Sequence, residues 1–128
     1  MKLTKGTIVD KPWGFEEIYV NSDKYCGKRL VIQIGGSTSI HAHIVKMETF
    51  TPILGNLNVD LYRQICLDYG DKQKISTEII KTIQLKTGET LTLPPKTIHR
   101  LYPDQGDMVV LLEFSTNHDD KDTIRYSQ

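Results

Sequence analysis

The 128-residue chain is short of cysteine, of net charge and of long apolar runs, and each shortage excludes something. Two cysteines, Cys26 and Cys66, are too few for a disulfide framework, and both are expected to be small buried or half-buried thiols. Sixteen Lys and Arg balance sixteen Asp and Glu, so no basic field is available for nucleic acid or an anionic membrane surface. No apolar run approaches the roughly 18 residues of a membrane span, and Met1-Lys2-Leu3-Thr4-Lys5-Gly6 leads into no hydrophobic segment. Low-complexity segments and long linkers are missing too. The expectation is a soluble cytoplasmic protein of one domain, residues 1–128, large enough to bury a core without staples.

What is present is a series of short runs rich in Val, Ile, Leu, Thr and aromatics, broken by Gly, Pro, Asn and Asp. Phe15 to Val20, Lys28 to Ile34, Ser39 to Ile44, Met47 to Leu54, Asn56 to Leu67, Thr90 to Leu93, Ile98 to Tyr102 and Met108 to Phe114 read as strands. Gly55-Asn56 and Tyr69-Gly70-Asp71 read as turns. Ile75, Ile79, Ile80 and Ile83 fit a helical stripe, but the β-branched content of Ile75 to Leu85 favours a strand. Eight or nine short strands around one polar cluster predict an all-β fold, an antiparallel jelly-roll sandwich or barrel.

The polar cluster is carried by two stretches. In the first, between Gly35 and Gly55, His41 and His43 stand two apart and Glu48 follows five residues after His43. Residues two apart on a strand share a face, so both imidazoles can meet one ion. A turn near Val45-Lys46 would bring Glu48 onto the next antiparallel strand, facing the same interior. In the second, Gly88, Pro94-Pro95 and His99 read as a glycine turn, a short strand, a proline turn and a histidine opening another strand. Three imidazoles and one carboxylate suit a divalent transition metal, Zn, Mn, Fe, Ni or Co.

These two stretches resemble the paired motifs of the cupin superfamily. Gly35, His41, His43, Glu48 and Gly55 fill the first motif, and Gly88, Pro94 and His99 fit the second. Lys96 stands where that second motif has a turn glycine, and Pro103 where it has an asparagine. Lys11-Pro12-Trp13-Gly14 resembles the entry of type II mannose-6-phosphate isomerase cupins. Asp119-Asp120 with Arg125 resembles their tail and that of small sugar-isomerase-like cupins. In those small cupins the first motif is often HxHxxKxETF, which His41 to Phe50 reproduces. The resemblance implies a jelly-roll barrel with a metal held by His41, His43, Glu48 and His99. It also implies aldose–ketose isomerisation of a sugar or sugar phosphate, mannose-6-phosphate being the nearest family substrate. A metal-dependent oxygenase and a non-catalytic sugar-binding cupin are the alternatives.

An isomerase of this kind needs a proton carrier and, for a phosphorylated substrate, fixed cations. Glu48 is the carboxylate nearest the ion, as ligand or as base. Lys46 is a candidate acid, base or anion anchor, or else a solvated turn lysine. Arg63 and Arg100 are the candidate substrate anchors; parity favours Arg63, as a pocket residue or as half of a rim ion pair, because Arg100 must face away from His99. Arg125 with Asp119, Asp120 and Asp122 is expected to form an ion-paired cap over the barrel end. His118 is expected at the surface, and Trp13 and Tyr25 either stack on sugar or serve core and interface. A homodimer through edge strands is expected.

Overall fold

The computed structural model describes residues 1–127, so Gln128 lies outside the described residues. The strands are β1 (Thr7–Lys11), β2 (Gly14–Asn21), β3 (Cys26–Ile32), β4 (His41–His43), β5 (Glu48–Leu54), β6 (Leu57–Tyr69), β7 (Lys72–Leu85), β8 (Leu91–Leu93), β9 (Ile98–Pro103), β10 (Val109–Ser115) and β11 (Thr123–Arg125). Among the described residues one 3-10 turn, Asp120–Asp122, precedes the last strand. All pairings are antiparallel, in two sheets ordered β1-β2-β3-β10-β5-β8 and β11-β4-β9-β6-β7. Two facing antiparallel sheets of this order form the jelly roll expected from the sequence, and Ile75 to Leu85 is strand. Among the described residues no helix is long and apolar enough to cross a membrane.

Alternation builds the interior. On β3, Leu30 and Ile32 point inward; on β10, Val109 and Leu111; on β6, Leu57 and Val59. Phe50 of β5 fills the centre and is fully buried, which stabilises the fold by roughly 1.5–3 kcal/mol relative to an exposed ring. The cluster closes with Leu85, Leu93 and Leu101, and Trp13 and Leu61 pack on its margin. Gly55 ends β5 with φ 78°, and a side chain there would strike the Met108 carbonyl. Only glycine suits both demands.

Two strands were not anticipated. β1 pairs β2 from Thr7↔Ile18 to Lys11↔Gly14 across the Pro12-Trp13 turn. The three-residue β11 pairs β4, with Thr123 opposite His43 and Arg125 opposite His41. The β6–β7 hairpin outruns the barrel: β6 leaves β9 after Tyr62↔Ile98 but stays paired to β7 as far as Tyr69↔Lys72.

Candidate active site

β4, β5 and β9 bring the four expected donors to one end of the interior. His41 pairs directly with His99 across β4 and β9. The β4–β5 turn returns the chain so that Glu48 faces the same space. Asp122 fixes that turn, its carboxylate accepting from the Val45 and Lys46 amides at 2.9 and 3.0 Å. Behind it, the Lys96 amide donates to the His43 carbonyl at 2.6 Å.

The outward nitrogen of each ring is tied. His41 Nδ1 donates to the Ser39 carbonyl at 2.8 Å and His99 Nδ1 to the Thr97 carbonyl at 2.9 Å. A carbonyl only accepts, so in both rings the proton sits on Nδ1 and Nε2 keeps a free lone pair. His43 Nδ1 meets Thr123 Oγ1 at 3.2 Å. Glu48 Oε1 lies 3.3 Å from His43 Nε2 and 3.4 Å from His99 Nε2. His99 Nε2 is buried without a hydrogen-bond partner.

Burial holds His41 down to about 3, helped by His99, and pushes His99 down as well, so both rings stay neutral at physiological pH. Burial alone would raise Glu48, but His43, His99 and Lys46 outweigh it and keep the carboxyl below the usual range. Neutral imidazoles and an ionised carboxylate are the forms that bind a cation. Two donors each about 2.1 Å from one ion, at right angles to each other, stand roughly 3 Å apart, close to the separations around Glu48 Oε1. Among the described residues no three such side chains are drawn into a finished cage. The fit lies in the donor chemistry, the tied Nδ1 atoms and the orphaned His99 Nε2.

Beside the donors stands a second polar group that was only half foreseen. Lys46 is 3% exposed, not a solvated turn residue. Its ammonium lies 3.0 Å from Glu113 Oε2, 3.5 Å from Glu48 Oε2 and 3.0 Å from His118 Nδ1. Burial works against the Lys46 charge, yet Glu113 and Glu48 raise its affinity for the proton overall. Burial and the nearby Glu48 push Glu113 up. His118, expected at the surface, is half-buried, with Nε2 3.0 Å from Asp120 Oδ1; burial, Lys28 and Lys46 lower it. Opposite Glu113 on β3, Lys28 meets Glu16 at 3.7 Å.

These groups floor a cavity of about 950 Å³ whose wall includes Trp13, Ile18, Leu30, Phe50 and Leu101. Trp13 thus serves both the core margin and the cavity, whereas Tyr25 is exposed away from it. Arg125 stands at the mouth and donates to Ser39 Oγ at 3.1 Å. It makes no ion pair with Asp119, Asp120 or Asp122 among the described residues, so the expected ion-paired cap is replaced by turn-fixing carboxylates.

Neither expected substrate anchor reaches the cavity. Arg63 lies on β6 beyond the end of β9, 64% exposed, with its guanidinium 2.7 Å from Glu78. Parity misplaces it because the strand has left the barrel there. Arg100 points to the outer face, donating to Asp60 Oδ2 at 2.8 Å. Asp60 is 1% exposed and also accepts from Thr82, Tyr102 and Tyr62 at 2.7, 2.9 and 3.2 Å. The residues missed were Glu113, Lys28 and Glu16. Glu113 had a signal: it continues the inward parity of Val109 and Leu111, a charge on an otherwise apolar face.

A model of the D-lyxose isomerase family matches residues 14–128. The chain belongs to that family. The D-lyxose/D-mannose isomerase of Thermosediminibacter oceani is 29% identical over 117 residues, covering 84% of this chain and 64% of that protein. The chain therefore spans less than two thirds of that relative's length. Two solved structures share the fold. KdgF from Halomonas sp. has a TM-score of 0.66 at 17% identity, with 90% of each chain covered. Bacillus subtilis oxalate decarboxylase, a protein with Mn(II) centres, has a TM-score of 0.68 at 14% identity over 92% of this chain and 29% of its own. The cupin barrel implied by the motifs is the fold observed, and the family is that of D-lyxose isomerases.

Proposed function

We infer that the chain is the catalytic barrel of a metal-dependent aldose–ketose isomerase acting on a free aldose of the D-lyxose and D-mannose type. The observation that carries this reading is the Lys46–Glu113 pair buried beside three imidazoles, two of which, His41 and His99, have their Nε2 lone pairs free. Interconverting an aldose and a ketose moves one proton between adjacent carbons through an enediol. A divalent cation held by His41, His43, Glu48 and His99 would polarise the carbonyl and stabilise the enediolate charge.

The chain's own residues do the rest. Glu113, its proton affinity raised by burial, takes the proton from C2 and returns it to C1. Lys46 holds the Glu113 carboxylate in place, gives an ammonium proton to O1 as the enediol forms and recovers one from the O2 hydroxyl as the ketone forms, so its charge is restored at the end of the turnover. His118, bonded to Asp120, anchors the far side of Lys46. Glu48 serves as ligand instead of base, since a carboxylate faced by His43 and Lys46 and held below the usual range has little basicity left. The Trp13 and Phe50 side of the cavity receives the C–H face of the sugar.

The relative from Thermosediminibacter oceani supports a free sugar as substrate, and so does the pairing of the cations at the cavity floor, the unpaired Arg125 standing at the mouth. Lys28 is matched by Glu16 and Lys46 by Glu113, while Arg63 and Arg100 lie outside. A phosphate would find no unpaired cation at the floor, which disfavours mannose-6-phosphate. The test is proton NMR of D-lyxose, D-mannose and mannose-6-phosphate with protein reconstituted in turn with Mn, Co, Ni, Fe and Zn. Formation of D-xylulose and D-fructose is expected. A protein that holds one equivalent of metal and converts none of the three sugars would overturn the reading.

A further inference from the structure

In one sheet β2, β3, β10 and β5 are successive neighbours, and each turns one charged side chain into the cavity: Glu16, Lys28, Glu113 and Glu48. Lys28 stands directly opposite Glu113, and Glu16 is diagonal to Lys28 across the next pairing, where Ile18 is opposite. The two carboxylates at the floor are tied to Lys46. The outer pair is looser. Lys28 is 5% exposed, yet its ammonium makes no hydrogen bond among the described residues, the nearest carboxylate oxygen being that of Glu16 at 3.7 Å. On its other side Glu16 reaches only the half-buried Lys11, at 3.9 Å. Both separations exceed a hydrogen bond. The charges are balanced, but the N–H donors of one group and the oxygens of the other are unspent and face the cavity.

We propose that Lys28 and Glu16 form a hydroxyl-binding subsite for the far end of the open-chain aldose, holding its C4 and C5 oxygens while C1 and C2 react beside Glu113. This rests on the isomerase reading above and names the groups that select its substrate. A hydroxyl both donates and accepts, so it satisfies an ammonium and a carboxylate lying side by side. An anion in the same place would gain Lys28 and be repelled by Glu16. Neighbouring strands are about 4.8 Å apart, which sets Lys28 about one strand and Glu16 about two strands from Glu113. A five-carbon chain extended across the sheet from Glu113 ends in that interval. D-Lyxose and D-mannose carry the same hydroxyls from C2 to C4 and an oxygen at C5, so one subsite serves both. Ile18 and Leu30 flank Lys28 on the cavity wall, and in such surroundings a charged hydrogen bond is worth more than in water.

The test compares D-lyxose with 5-deoxy-D-lyxose, which lacks one of the two hydroxyls, on the whole metal-reconstituted protein. The ratio of their kcat/KM values should favour D-lyxose by at least about tenfold in the wild type. That selectivity should fall by about tenfold in Lys28→Met and about fivefold in Glu16→Gln. A merely structural role would lower both sugars alike and leave the ratio where it was. The open-chain share of each sugar is the same for every protein, so it cancels. Glu16→Gln keeps the side chain's shape, so the comparison stands even where Lys28→Met folds poorly. Titration with D-arabinitol, the reduced form of D-lyxose, needs no turnover, and its affinity should fall by the same factors. A protein that converts no sugar overturns the isomerase reading alone, and the arabinitol affinities then decide the subsite. Unchanged selectivity in Glu16→Gln would overturn the proposal, as would equal arabinitol affinity in the wild type and both variants.

Discussion

His99 and Arg100 are adjacent on β9 and lead to two buried polar clusters, one on each face of the same sheet. Outside, the Asp60 carboxylate collects four hydrogen bonds, from Tyr62, Thr82, Arg100 and Tyr102. Inside, His99 Nε2 has no partner, and Glu48, Lys46 and Glu113 are crowded together at the floor of a large cavity. A buried carboxylate with four hydrogen bonds is a structural joint, because its desolvation is offset, although Arg100 Nε beside it is left without a partner. Leaving a cluster open retains that cost, and the open cluster is where a ligand can still improve the balance. The outer cluster holds β6, β7 and β9 together; the inner one is the proposed site of the chemistry.

The largest test of this contrast removes the open cluster's donors. His41→Ala with His99→Ala should abolish metal uptake by elemental analysis and reduce turnover by on the order of 10³-fold or more. Glu113→Gln separates proton transfer from binding: metal content should be unchanged while kcat falls roughly 10²–10⁴-fold. Asp60→Ala is the counterpart outside. Stripping the acceptor from Arg100, Tyr102 and Thr82 should cost about 1–3 kcal/mol in denaturant unfolding and leave metal content unaltered. Burial opposes the Asp60 charge, but hydrogen bonds from Thr82, Arg100 and Tyr102 hold its pKa below the ordinary value. Its stabilisation is thus complete above the ordinary aspartate pKa of about 4 and is lost as pH falls through the lower folded value; the Asp60→Ala penalty should shrink in that acid range. The smallest effect belongs to Arg63→Ala, which breaks an exposed pair with Glu78. It should cost about 0.2–1 kcal/mol and leave KM for the sugar unchanged; a raised KM would return Arg63 to the site.

Period-two spacing and one turn made His41, His43 and Glu48 legible in the sequence, since each depends only on local geometry. His99 was legible through the proline turn ahead of it. Arg63 was misread because parity says which face a residue takes, not whether the sheet still has an interior at that point. Arg100 was placed correctly by parity, away from His99, and so could not serve as an anchor. Lys46 had been divided between pocket and solvent. Its burial depends on Glu113 and His118, more than sixty residues downstream, which no local pattern connects to it. β11 escaped notice because three residues after a run of aspartates carry too little alternation to read as a strand.

Lys96 has φ 69°, a left-handed conformation, at the place where the cupin motif carries glycine. A non-glycine residue there costs about 1–2 kcal/mol, and the turn is kept by the short bond from its amide to the His43 carbonyl. The protein therefore carries a spring under one of its proposed ligand strands. Lys96→Gly would slacken it, with the gain reduced by glycine's greater freedom in the unfolded chain. For anyone wanting a hardier barrel, that turn is a place to add up to about 1 kcal/mol of stability with the chemistry of the cavity left as it is.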